Sequence, residues 1–195
     1  MQNAPVPFNA SKLATALKKT SREAAPSGAF LKMDKTGAWI FGVEEEEVSG
    51  TDQFIVNPEG FQHGYVAWGE SEKLGEMIAP VTEALPETGP VPGGAKGWEF
   101  QLGGHFKQKN GDLDLVYRSS SVGGKRAIAG LASAVSDKLA AGDPKCVAVV
   151  TLSSDSYKHK QYGKIYTPVI EIVAWIAMPG ENTSAPKAAP KKKAK

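Results

Sequence analysis

VGGKRAIAGLASAVSDKLAAG (122–142), followed by CVAVVTL (146–152) and IYTPVIEIVAWI (165–176), decides how this chain folds. In the first run Ile128, Leu131, Ala132, Val135 and Leu139 recur at helical spacing, and Gly142 stops the helix. The two later runs are apolar and rich in valine and isoleucine, so they read as strands. Upstream the pattern is again that of strands. AFLKMDKTGAWIFGV (29–43) holds two short runs around Lys35–Gly37, and QFIVN (53–57) and HGYVAWG (63–69) follow across the turn-like PEGF. WEFQLGGHF (98–106) and LDLVYRSS (113–120) form a hairpin around KNGD, where Asn110-Gly111 is a strong turn signal. Residues 70–97 are less regular, and ALPETGPVPGGAKG within them reads as a Pro/Gly-rich loop.

One helix, with many strands before it and two after it, predicts a mainly β fold of the α+β class. The links between strands are mostly too short for parallel crossovers, so the sheet is expected to be antiparallel. An OB-like five-stranded barrel carries a helix between its third and fourth strands, and that is the expected architecture, with elaborated loops and flexible basic termini. The expected division is a weakly ordered basic arm over 1–28, an OB-like domain over 29–178 and a disordered Lys/Pro/Ala-rich tail over 179–195.

The 195 residues carry a net charge of only +2, but the charge is segregated. Residues 1–22 hold four basic side chains and no acid, and residues 23–95 hold 3 basic against 13 acidic. Residues 96–178 hold 11 basic against 7 acidic, and 179–195 hold five lysines and Glu181. A polyanion would therefore meet the second half and the tails, not the acidic stretch. The chain has no run of 18 apolar residues, which predicts no membrane span, and MQNAPVPFNASK lacks the pattern of a secretory signal. Cys146 is the single cysteine, expected to be a buried hydrophobe in a reducing cytosol.

Catalytic constellations are scarce, and the expectation is a protein that is not an enzyme and carries no cofactor and no metal. His63, His105 and His159 are not spaced for a metal, and EEEE (44–47) reads as a solvated acidic turn that repels nucleic acid from the wrong face. Asp112, Asp114 and Asp155 are the carboxylates of the basic half that a nuclease would need, and they form no known metal motif. GGKR (123–126) is not a P-loop, since Ser119 stands at the first glycine position and Arg126 follows the lysine. It still leads into a helix N-terminus, where Lys125 and Arg126 could meet phosphate.

Aromatic rings among cations carry the functional reading. Unpaired nucleic acid is held by rings that stack on bases and a basic groove that follows the backbone. Trp39 and Phe41 share one strand face, as do Trp98 and Phe100. SSDSYKHKQYGK (153–164) sets Tyr157 and Tyr162 among Lys158, His159, Lys160 and Lys164, a lysine density that no buried strand tolerates. It is expected to be an exposed loop joining the last two strands. Tyr117 and Arg118 complete the candidate contacts.

VYRSSSVGGKRAIAGL (116–131), VVTLSSDSYKHKQYGKIYTPVIEIVAWI (149–176) and FLKMDKTGAWIFGVE (30–44) resemble a family of small tailed-phage and prophage proteins. The family pattern has Ser-rich Gly-Gly opening a helix, a valine-rich strand, Asp-Ser-Tyr-Lys-His-Lys, Tyr-Gly-x-Ile and a closing strand that ends near a tryptophan. The resemblance spans roughly 29–178 and is densest over 115–178. It implies an OB-fold single-stranded-DNA-binding protein of phage replication or recombination, acting in the cytoplasm of the bacterial host with other phage replication proteins as possible partners. Two features depart from the family. Ile170 stands where an aromatic is usual, and the chain ends in PKKKAK where such proteins often end in an acidic tail. The alternative expectation is a non-enzymatic structural or adaptor phage protein whose acidic stretch binds other proteins.

Overall fold

The computed structural model describes residues 28–177, so the expected basic arm and lysine-rich tail lie outside the described residues. Ten strands, one short 3₁₀ turn and one long helix make up the described chain. They are β1 (Ala29–Met33), β2 (Trp39–Phe41), β3 (Glu46–Glu47), β4 (Phe54–Val56), β5 (Gln62–Trp68), β6 (Lys73–Pro80), β7 (Trp98–Gln108), β8 (Asp114–Ser119), α1 (Val122–Ala140), β9 (Val147–His159) and β10 (Gly163–Ile176). The expectation of a mainly β chain with one principal helix holds. The expected count of five strands does not.

The extra strands have a physical origin. β7 is 11 residues long, and one of its edges serves two partners in turn: β5 pairs with its first half and β4 with its end. β6, which the irregular KLGEMIAP conceals, adds to the outer edge of β5. The main path runs β10-β9-β4-β7-β8-β1-β2-β3, so the sheet curls but stays open, with β10 and β3 at its ends. β1 lies parallel to β8, pairing Leu31 with Tyr117. The expectation of an antiparallel sheet misses this pair because the two strands are far apart in sequence and need no short crossover. Pro168 sits inside β10, which is possible because β10 is an edge strand with no second ladder to supply.

The helix closes one side of the curl. Ser121 caps it, its Oγ accepting from the Gly124 amide at 3.0 Å. Ile128, Leu131 and Val135 then face inward against Phe54, Val56, Phe106, Leu115 and Val150. The helix ends where Gly142 turns to φ +66°, the left-handed position that favours glycine. Leu139, on the expected apolar stripe, is instead exposed. No helix among the described residues is long and apolar enough to cross a membrane.

Candidate functional site

The stretch 153–164 is not a loop. β9 and β10 continue past the core as a two-stranded arm, pairing residue by residue from Ser153–Val169 out to His159–Gly163. This register places Lys158 directly opposite Lys164, and Tyr157 opposite Ile165 on the other face of the ribbon. The tip is held by His159, whose Nδ1 accepts from the Gln161 and Tyr162 amides and whose ring stacks on Tyr162 at 4.9 Å. Tyr157 and Tyr162 are 51% and 69% exposed. Among the described residues Lys158, Lys160 and Lys164 have no carboxylate partner. Lys164 instead lies over the Tyr166 ring, 4.5 Å from its centroid.

Two adjoining hollows run along the seam between β1 and β10, sharing Lys32, Met33, Ile165 and Tyr166. The first, about 570 Å³, adds Lys35, Glu45, Tyr162 and Lys164. The second, about 410 Å³, adds Tyr157 and runs to Ser121 and Gly123 at the start of α1. Side chains, not strand pairing, hold the seam together. The Trp39 indole donates to the Ser153 carbonyl at 2.7 Å. Gly37, at φ +89°, packs so closely on Tyr166 and Ser154 that a β-carbon there has no room.

Several expected contacts are buried or already paired, although Tyr117 and Arg118 also line the second hollow. Trp39 and Tyr117 are core residues, 3% and 4% exposed, packed edge to face at 5.0 Å, so neither has a free face for a base. Burial pushes the Tyr117 phenol up from its ordinary value. Phe41 is half-buried against the same core. Arg118 is not a free cation either: Nη1 donates to Glu76 at 3.1 Å and Nε to Gln62 at 2.9 Å. Burial alone would raise the Glu76 carboxyl. Hydrogen bonds from Lys73 and Gln101, with the charges of Arg118 and Lys73, hold it below the usual range. Gln62 also bonds His105 at 3.1 Å, and burial, with the Arg118 charge, lowers the His105 pKa.

A second aromatic patch forms at the far end of β7. Phe100 meets Tyr65 at 5.8 Å, and Lys125 reaches over the Phe100 ring at 5.9 Å. Trp98, on the same face, packs over Gly75 and donates to the Gly89 carbonyl at 3.0 Å. Arg126 lines a separate hollow between α1 and β10. The seam thus gathers Tyr157, Tyr162 and Lys164, with Lys158 across the ribbon, while Trp98, Phe100 and Lys125 form another surface. Lys32 and Lys35 belong to the seam but escape the sequence reading, because only the β1–β8 and β9–β10 pairings bring them beside Tyr166. Asp112, Asp114 and Asp155 sit on separate elements, and among the described residues no three His, Cys, Asp or Glu side chains converge. No protein-family model, curated protein or solved structure matches the chain, so what the site does rests on its geometry.

Proposed function

We propose that the protein binds single-stranded DNA, without sequence preference, along the seam and the β9–β10 arm. One observation carries the reading: a two-stranded arm that spends no apolar burial on its tip exposes Tyr157 and Tyr162 and carries Lys158, Lys160 and Lys164, none of them with a carboxylate partner among the described residues. Rings stack on any base, and ammonium groups meet phosphates as point charges, so the combination tolerates sequence. Tyr162, Tyr166, Lys164, Lys32 and Lys35 form the first station and Tyr157 the second, with the capped start of α1 beyond it. Binding needs no catalysis and no cofactor.

An OB-type plan underlies this reading. β4 with β5 serves as the first strand, β7 as the second and β8 as the third; α1, β9 and β10 follow. The neighbours β4–β7, β7–β8, β4–β9 and β9–β10 are those the plan requires, and β1 occupies the edge of β8 where closure onto β10 would come. In this plan the arm is the connection between the last two strands, one of the two connections that grip oligonucleotides in OB folds. The sequence resemblance supplies the setting, replication or recombination of a phage genome in the bacterial cytoplasm.

Titration of fluorescent oligo-dT with the protein tests this. Binding at micromolar protein in low salt, weakening steeply as salt rises, is expected. No change in anisotropy at micromolar protein in low salt would overturn it. A stable assembly indifferent to DNA would favour a structural or adaptor role instead.

A further inference from the structure

The acidic run Glu44–Glu47 does not lie on a face remote from the seam. Glu44 and Glu45 lie in the turn between β2 and β3, Glu46 and Glu47 form β3 itself, and Glu45 lines the first hollow with Lys32, Lys35, Tyr162 and Lys164. Its Oε1 accepts from Lys32 Nζ at 2.6 Å. Glu45 is also the only non-glycine residue at positive φ among the described residues, at +53°. That left-handed position suits glycine or asparagine, and a glutamate there costs folding free energy. The ion pair does not offset the cost by stability alone, because both side chains are more than half exposed and such pairs contribute little. A local rule broken without a stabilising return marks a functional position.

We propose that Glu45 is an internal phosphate mimic that regulates the DNA seam. It holds Lys32 while the seam is empty and is displaced when a backbone phosphate takes its place. The proposal rests on the single-stranded-DNA reading of the same seam. The exchange at Lys32 trades one ion pair for another, so that lysine adds little net attraction. Lys35 and Lys164, which have no carboxylate partner among the described residues, receive the strand first. The neighbouring Glu44, Glu46 and Glu47 are exposed and strengthen the local negative field. Short or weakly charged strands thus compete poorly with Glu45, and long ones displace it.

The test compares oligo-dT affinity of the wild type, Glu45→Gln and Glu83→Gln. The last removes one exposed carboxylate from the stretch that follows β6. Glu45→Gln is expected to bind about three- to tenfold tighter at about 50 mM salt, with most of the gain gone by about 300 mM, as screening removes the competition. Glu83→Gln should stay close to wild type. The double variant Lys32→Gln/Glu45→Gln should lose the gain, because the lysine that Glu45 masks is gone. If the wild type binds but Glu45→Gln equals Glu83→Gln or is weaker, the mimic is wrong and the binding site stands. If the wild type does not bind at all, both fall.

Discussion

The two halves of β9 have the same backbone and opposite surroundings. Val147, Ala148, Val149 and Val150 lie within 2% of full burial, between β4 on one edge and β10 on the other. Past Leu152 the strand loses β4 and keeps only β10, and its side chains become serine, aspartate, tyrosine and lysine. The first half reads as the continuous apolar run of a strand covered on both faces. The second half keeps one ladder and gains no apolar cover from β4. A free two-stranded hairpin is marginal in water, so the arm depends on its root, where Trp39 bonds Ser153 and Gly37 packs on Tyr166. One continuous ladder thus supplies stability at one end and a binding surface at the other.

The largest test of that contrast is in the core. Phe106→Ala, at a fully buried site in the cluster beneath α1, should cost about 3–5 kcal/mol of stability in urea denaturation. The matching change on the arm, Tyr157→Ala with Tyr162→Ala, should leave stability within about 0.5 kcal/mol, since both rings are exposed. It should weaken oligo-dT binding by about 1–3 kcal/mol for each base that loses its stacking partner. Equal losses of stability and binding in that variant would erase the division between the two halves.

Smaller effects sharpen it. Replacing Lys158, Lys160 and Lys164 by glutamine should reduce the slope of log affinity against log salt by about 2, near 0.7 for each single-strand phosphate that is no longer neutralised. An unchanged slope would remove those lysines from the interface. The smallest effect comes from β7. His105 accepts a hydrogen bond from Gln62, and its pKa is lowered in the fold by burial and by Arg118. The unfolded chain therefore binds its proton more readily. Stability from this group is complete above about pH 6.5 and declines as pH falls through the ordinary histidine range. A His105→Gln variant should show a flatter stability profile there, while oligo-dT binding above that range stays as in the wild type.

Much of this architecture is readable from residues. The helix at 122–140 announces itself through Ile128, Leu131 and Val135, and Asn110-Gly111 marks the β7–β8 turn. The exposure of Tyr157 and Tyr162 follows from their lysine neighbours. What a sequence hides is the information held in long-range pairing. Trp39 reads as a platform because alternation gives its face but not what covers that face, and Tyr117 with the core covers it. Arg118 reads as a free cation because Glu76 and Gln62 reach it only after β5 and β6 pair. β6 is hidden because KLGEMIAP mixes glycine, glutamate and proline into a strand that lines up along β5. Lys32 and Glu45 meet only once β1, β2 and β3 are folded side by side.

Photo-crosslinking of an oligo-dT bearing 5-iododeoxyuridine, read out by peptide mass spectrometry, tests the central claim most directly. Crosslinks concentrated at Tyr157, Tyr162 and Tyr166 are the predicted result. Crosslinks confined to Tyr65, Trp98 and Phe100, or none above background at a protein concentration that saturates anisotropy, would contradict it.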